Sequence, residues 1–172
     1  MNLAAFTSLL SAGENINGCP LADSDAVALA NLHFPSREYC LVADWVVLDL
    51  DVTTRQRTAI TDRGLIPALV YALTVIQDSK GRFAPGDWVR STLEVSFTHN
   101  CLFETKNTVY VLMGAGRRLR TDLDIALSLC LLKTAAYGLS LHDCLLLVHR
   151  VKLCCEQSGP VFQTQPIWVN LC

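Results

Sequence analysis

Alternating apolar and polar residues in the middle of the chain predict a run of β-strands. Over Trp88–Phe97 the residues on one side are mainly apolar and those on the other side mainly polar. This period of two is typical of a half-buried antiparallel strand. The two-residue loop Lys106-Asn107 then joins Cys101–Thr105 to Thr108–Met113, which predicts a hairpin.

Two longer apolar runs predict strands that are covered on both faces. Tyr39–Leu50 is rich in β-branched and aromatic residues, and both of its sides are mostly apolar. Ala68–Gln77 has an ambiguous period, and its β-branched residues favour a strand over a buried helix. Asp44 interrupts the first run, so we expect it to lie near an edge or to find a polar partner.

Helices are predicted on both sides of the strand region. Before it, Asp23 or Ser24 can cap a short helix that ends before Pro35. After it, Asp122–Tyr137 and Leu141–Cys155 read as two helices. The pattern therefore predicts an α+β fold with a central, mostly antiparallel sheet, flanking helices and a C-terminal helical hairpin.

Composition divides the chain into three expected regions. Residues 1–36 form an N-terminal helical segment, residues 37–120 a β-rich core unit, and residues 121–172 a Leu- and Cys-rich helical extension. The last boundary rests on cysteine, because five of the eight Cys follow Arg120. The length of 172 residues suits one domain with an appendage.

Charge and composition indicate the cellular compartment and limit the classes of partner that we expect. Hydrophobic residues make up 51% of the chain and the formal net charge is −2, so a sizeable core is expected without a general attraction to nucleic acid or membrane. No basic residue of the Lys or Arg type precedes Arg37, which argues against a secretory signal. We expect a cytoplasmic protein with free thiols. Charges interrupt Leu123–Cys155, so no membrane span is predicted.

The sharpest candidate binding site is a Gly-Arg-rich turn after the last predicted strand. Its glycines can turn backbone N–H groups toward an anion, and its arginines can bind phosphate through two hydrogen bonds. The dinucleotide fingerprint has a third glycine where Leu119 stands, so that motif is absent. The other interpretation is a flexible strand exit with solvated arginines. The anion-binding candidates are Gly114, Gly116, Arg117, Arg118 and Arg120.

No catalytic residue, metal ligand or cofactor is predicted. The His and Cys residues between His142 and Cys155 lack the tight pairs that zinc sites use. His99 and Cys101 are two residues apart with Glu104 nearby, which leaves an unrecognised hydrolase as one alternative.

The leading functional hypothesis is a small non-enzymatic interaction or accessory protein, such as an inhibitor module, whose partner is another protein. It rests on Trp88 and Arg90, which stand on the polar side of a predicted strand and form the candidate interaction surface. The first alternative is a phosphate or nucleic-acid binding module that uses the Gly-Arg turn. The sequence does not determine the oligomeric state.

Three segments resemble an uncharacterised family of small bacterial proteins. They are YCLVADW from Tyr39, GRFAPGDWVRSTLEV from Gly81 and CLFETKNTVYVLMGAGRR from Cys101. The resemblance covers about Tyr39 to Arg118 and implies a compact β-rich unit of bacterial, cytosolic origin. The family brings no activity that could be transferred.

Overall fold

The computed structural model describes residues 12–126. Sheet dominates this part of the chain, and two short helices lie between strands. Residues 123–126 begin a further helical segment. The elements in chain order are β1 (Glu14–Asn17), α1 (Asp23–His33), β2 (Tyr39–Asp51), α2 (Thr54–Thr61), β3 (Ala68–Asp78), β4 (Val89–Arg90), β5 (Glu94–Thr98), β6 (Leu102–Thr105), β7 (Val109–Leu112) and β8 (Ala115–Asp122).

The long strand β2 organises the sheet because it pairs along both of its edges. One edge is antiparallel to β3. The other edge is parallel to β7 over its first four residues and parallel to β8 over its second half. The sheet is therefore mixed, and the two parallel pairings bring the end of β2 beside the end of the described chain.

The strand pairings close into a ring. From β2 they run through β3 to β4 on one side, and through β7 and β6 to β5 on the other. The two series of strands meet, because β4 and β5 follow each other in the chain. At this point Ile66 N–H, just before β3, donates to Glu94 O of β5 at 2.8 Å. β1 and β8 extend the sheet beyond this ring.

The apolar side chains form three clusters, one on the inner face of the ring and two on its outer face. The inner cluster includes Val42, Val70, Phe103 and Leu112. One outer cluster packs against α1 through Ala26 and Ala30. The second outer cluster is built on Leu48 and Tyr71 and is joined by Leu123 and Ala126. Helix α1 and the helical turn at residues 123–126 thus both pack on this sheet.

A bend lets β2 change partners from β7 to β8. Asp44 has a φ of 53°, and Gly114, which lies between β7 and β8, has a φ of 66°. Left-handed backbone is ordinary for glycine and uncommon for other residues. The Asp44 carboxylate accepts a hydrogen bond from the Thr74 hydroxyl at 2.9 Å. The structure confirms the second of the two predicted alternatives, a polar partner, since Asp44 lies in a strand that is paired along both edges.

The structure confirms the α+β fold and the main strands, and it corrects several details. The predicted strand Trp88–Phe97 is wrong as one element, since residues 91–93 separate β4 from β5. The Gly-Arg-rich turn is wrong beyond its first residue, because Gly114 lies in a turn while the residues from Ala115 onward form strand β8. The N-cap of α1 is Ala22, with no side-chain cap, in place of Asp23 or Ser24.

The predicted C-terminal helical hairpin lies outside the described residues, apart from its first turn at 123–126. The division into three regions stays a prediction.

Candidate functional site

The two glycines of the Gly-Arg segment serve the packing of the sheet. A Cβ atom built on Gly116 would lie 2.3 Å from two ring atoms of Trp45, so the indole occupies the space that a side chain would need. The Trp45 ring is fixed there because Nε1 donates to Met113 O at 3.0 Å. Gly114 supplies the left-handed turn between β7 and β8. Their placement is explained by the fold without an anion.

Two arginines of β8 are paired with carboxylates of β2. The parallel register sets Arg120 beside Asp49 and brings Arg118 opposite Val47. Arg118 donates to Asp49 through Nε and Nη2, both at 2.7 Å. Arg120 forms an ion pair with Asp51. The positive charge of these two side chains is therefore largely balanced within the protein.

Arg117 directly precedes Arg118 and points to the opposite face of the sheet, since successive side chains of a strand alternate. Its backbone pairs with Asn15 of β1 and with Val46 of β2. The structure thus brings Arg118 and Arg120 to one face, together with Gly116, and leaves Arg117 on the other.

A buried carboxyl group, Glu94, lies at the same end of the ring as Asp49 and Arg118. Glu94 is 4% exposed, and its Oε2 has no hydrogen-bond partner. Burial raises the pKa of Glu94, Arg118 opposes that rise, and Asp49 adds to it. Hydrogen bonds from Arg118 to Asp49 in turn raise the pKa of the Arg118 guanidinium. We call Asp49, Glu94 and Arg118 the β2-end cluster.

The β2-end cluster has the chemistry of a structural ion-pair group. The Arg118 guanidinium is hydrogen-bonded to Asp49, and Glu94 is a second carboxyl group whose pKa it influences. Arg118 and Asp49 are each about a third exposed, at 36% and 37% of their side-chain surface. Solvent can reach this pair, while Glu94 stays beneath it.

A second polar cluster closes the opposite end of the ring. The Asp78 carboxylate accepts hydrogen bonds from Arg82 N, Nε and Nη2, and the same guanidinium donates to Thr108 Oγ1 at 2.9 Å. Burial alone would raise the pKa of Asp78, but the hydrogen bonds from Arg82 lower it overall. Glu38 adds ion pairs to Lys80 and Arg82. The Arg82 side chain therefore connects Asp78, at the end of β3, to Thr108, which directly precedes β7.

Trp88 and Arg90, the predicted interaction surface, lie at β4 on the outer face. Trp88 is half-buried and stacks on Tyr71 with ring centroids 5.6 Å apart. Arg90 pairs across the sheet with Tyr71, so the three side chains are neighbours. The structure therefore brings the two predicted residues together over Tyr71, which is buried beneath them as the sequence pattern predicts.

His99 and Cys101, the residues of the hydrolase alternative, have different surroundings in the structure. The His99 ring is exposed and packs against His33, with centroids 4.0 Å apart. Cys101 is buried, and burial together with the neighbouring Cys19 raises its pKa to about 12. A thiol in that state is a poor nucleophile at neutral pH. The nearby Glu104 is engaged by Arg37 and Ser96.

Neither a metal site nor a membrane span stands out in the described part of the chain. Within residues 12–126, no group of three or more His, Cys, Asp or Glu side chains is placed to hold a metal ion. Over the same residues, no helix has the length and apolarity needed to cross a membrane.

Glu94 was not predicted as a site residue, because the alternation over Trp88–Phe97 indicates one continuous strand. Continuous alternation puts Glu94 on the polar, outer side. The interruption at residues 91–93 changes which side chains face inward and which face outward. A shift in the pairing register of β5 with β6 follows. No local signal in the sequence marks this break, since it depends on the ring closing between Ile66 and Glu94.

The fold and the β2-end cluster together define a small α+β protein with a mixed sheet whose pairings close into a ring. The chain belongs to DUF6957, a family described as a domain of unknown function, whose family model matches residues 17–128. The match extends beyond Tyr39–Arg118 at both ends and includes α1. Searches among curated proteins and among solved structures found no match.

Proposed function

We propose that this chain is a non-enzymatic interaction protein that binds another protein through Trp88 and Arg90, with Trp88 supported from below by the buried Tyr71 ring. We call Trp88 and Arg90 the Trp88 surface. The observation that carries the proposal is the stacked pair of Trp88 and Tyr71 with Arg90 beside it on the outer face of β3 and β4. Trp, Tyr and Arg are the residue types most enriched at the energetic centres of protein interfaces.

The stacking supports this use of Trp88. An indole that already rests on a second ring loses little side-chain freedom when a partner covers it, so less binding energy is spent on ordering. Arg90 is partly exposed and can add hydrogen bonds at the edge of such a contact. The neighbouring turn at Pro85 and Gly86 is exposed, which leaves space for an approaching chain.

The test is affinity capture from the native host with the full chain as bait. Wild type, Trp88→Ala, Arg90→Ala and Arg55→Ala are compared by quantitative mass spectrometry. Arg55 is the matched control because it is an exposed arginine on α2. We expect a partner whose recovery falls at least tenfold with Trp88→Ala and Arg90→Ala and is unchanged with Arg55→Ala. Equal recovery with all baits, or turnover of a substrate by the isolated protein, contradicts the proposal.

Phosphate or nucleic-acid binding through Arg117, Arg118 and Arg120 is the weaker candidate. Its support is that these arginines lie on one strand and that Arg120 keeps 73% of its side chain exposed. Asp49 and Asp51 compete with any phosphate for two of them. Retention on a phosphate matrix that falls steeply with salt, and that Arg120→Ala weakens, would favour this candidate over the Trp88 surface.

A further inference from the structure

Two cysteines that are far apart in sequence lie side by side along one edge of β7. Leu112 N–H donates to Cys101 O at 2.9 Å, and Leu112 O accepts from Cys19 N–H at 2.7 Å. The N–H and C=O groups of one strand residue point to the same side of the strand. Cys101 and Cys19 therefore occupy adjacent positions beside a single residue.

Their side chains meet in the same apolar cluster. Cys19 is 2% exposed and Cys101 is 3% exposed, and both pack in the cluster that α1 covers. The neighbouring Cys19 is one of the causes that raise the pKa of Cys101. Both cysteines are in the free form in this structure. A disulfide requires two cysteines whose Cα and Cβ atoms lie close together, and adjacent backbone positions within one cluster favour that arrangement.

We propose that Cys19 and Cys101 are a redox-active pair that forms a reversible disulfide by exchange with a small-molecule disulfide such as oxidised glutathione. In the first step one cysteine thiolate attacks the small disulfide, which gives a mixed disulfide and releases one thiol. In the second step the other cysteine attacks the mixed disulfide, which forms the Cys19–Cys101 bond and releases the second thiol. The protein loses two protons and two electrons, and the small disulfide gains them.

The same surroundings make the exchange slow. Attack requires a thiolate, and burial keeps both sulfurs away from solvent and from the small disulfide. Cys19 lies two residues after the end of the four-residue strand β1, which lies at the margin of the sheet. Local opening of this margin gives the reagent access, and higher pH increases the thiolate fraction.

The disulfide would fasten the beginning of the described chain to the β5–β6 turn. Cys19 connects β1 to α1, whereas Cys101 directly precedes β6. A cross-link between residues so far apart removes much of the freedom of the unfolded chain. Oxidation is thus expected to raise the melting temperature of the full chain by roughly 5–15 °C.

The experiment maps disulfides in the full chain. Reduced protein is incubated at pH 8 with oxidised glutathione, alone and with moderate urea that promotes local opening. Remaining thiols are blocked with an alkylating agent, and linked peptides are identified by mass spectrometry. Melting curves of the oxidised protein are recorded with and without a reductant. Cys101→Ala and Cys40→Ala are carried through the same steps, since Cys40 is equally buried but lies in the inner cluster.

The expected result is a Cys19–Cys101 link as the main product that involves either residue, formed faster in urea. The reductant-sensitive rise in melting temperature should disappear in Cys101→Ala and persist in Cys40→Ala. Absence of the link under both conditions, or a link no more abundant than those of Cys40, overturns the proposal. Peptide mapping of the wild type decides the question even if Cys101→Ala does not fold.

Discussion

Arg118 donates two hydrogen bonds of 2.7 Å to the Asp49 carboxylate, although the residues are 69 positions apart in sequence. The parallel pairing of β2 with β8 creates this contact. The pair shields a third group, because Glu94 lies buried at the same end of the ring with Arg118 as its nearby positive charge. The state of Glu94 is therefore the most informative probe of the β2-end cluster.

Glu94→Gln should stabilise the protein at neutral pH. The pKa of Glu94 is raised in the folded protein, mainly by burial. Its favourable contribution is therefore complete below the unfolded pKa and is lost as the pH rises through the folded pKa. Glutamine cannot ionise and so avoids the cost of a buried carboxylate, and at pH 7.5 the variant should exceed wild type by about 1 kcal/mol. Urea unfolding at pH 4 and pH 7.5 measures the difference.

Glu14→Gln is the control for this experiment. Glu14 pairs with Arg118 across β1 and β8 but is exposed. The control should shift stability by at most about 0.5 kcal/mol, as is usual for substitutions at surface sites. An equal gain in both variants would show that removal of a negative charge, rather than the burial of Glu94, is responsible.

Asp78→Asn should destabilise the protein and reduce its sensitivity to acid. Burial works against ionised Asp78, yet the hydrogen bonds from Arg82 lower its pKa overall. The stabilisation that this group provides is present above its unfolded pKa and is lost as the pH falls through the folded pKa. We expect a loss of about 2–3 kcal/mol at pH 7 and a smaller difference at pH 3.

Denaturant unfolding of Asp78→Asn and of the exposed control Asp62→Asn at both pH values tests this. Asp62 lies at the end of α2 with its side chain toward solvent. A loss in Asp78→Asn that is the same at pH 3 and pH 7 would contradict a role for its ionised form.

Gly116→Ala should cost more than Gly114→Ala. A methyl group at Gly116 would meet the Trp45 ring at 2.3 Å, and the ring cannot move without weakening its hydrogen bond to Met113. Overpacking of this kind costs about 1–3 kcal/mol. Gly114 has open space around it, so alanine there suffers only from the positive φ, at about 1 kcal/mol. Thermal melts of the two variants check the order, and a reversed order would contradict the close approach of Gly116.

Asp44→Gly should be more stable than Asp44→Ala. Both changes remove the hydrogen bond from Thr74, but only alanine must hold a Cβ at a φ of 53°. Glycine ordinarily weakens a strand, so this order is the opposite of the usual one. We expect a difference of about 1 kcal/mol in chemical denaturation. A more stable alanine variant would show that the bend in β2 does not depend on Asp44 keeping this conformation.

Local pattern was enough to predict most elements of the described chain. Apolar runs gave β2 and β3 nearly to their ends, and the Lys106-Asn107 loop gave the β6–β7 hairpin. These features depend on neighbouring residues, because strand pleat, turn geometry and the restriction at proline all act over a few positions. The polar stretch after Asp51 also carries a local signal, because Thr53 and Gln56 form a capping box at the start of α2.

What the sequence by itself determined is the α+β class, the main strands and the pairing of Trp88 with Arg90 on one side of a strand. Only the tertiary structure decided that the Gly-Arg segment is strand β8, that Arg118 meets Asp49, that Glu94 is buried and that Cys19 and Cys101 both lie beside Leu112. Each of these features brings together residues from different segments of the sheet. Their distance depends on which strands pair, in which direction and in which register, and the periodicity of a single segment carries no such information.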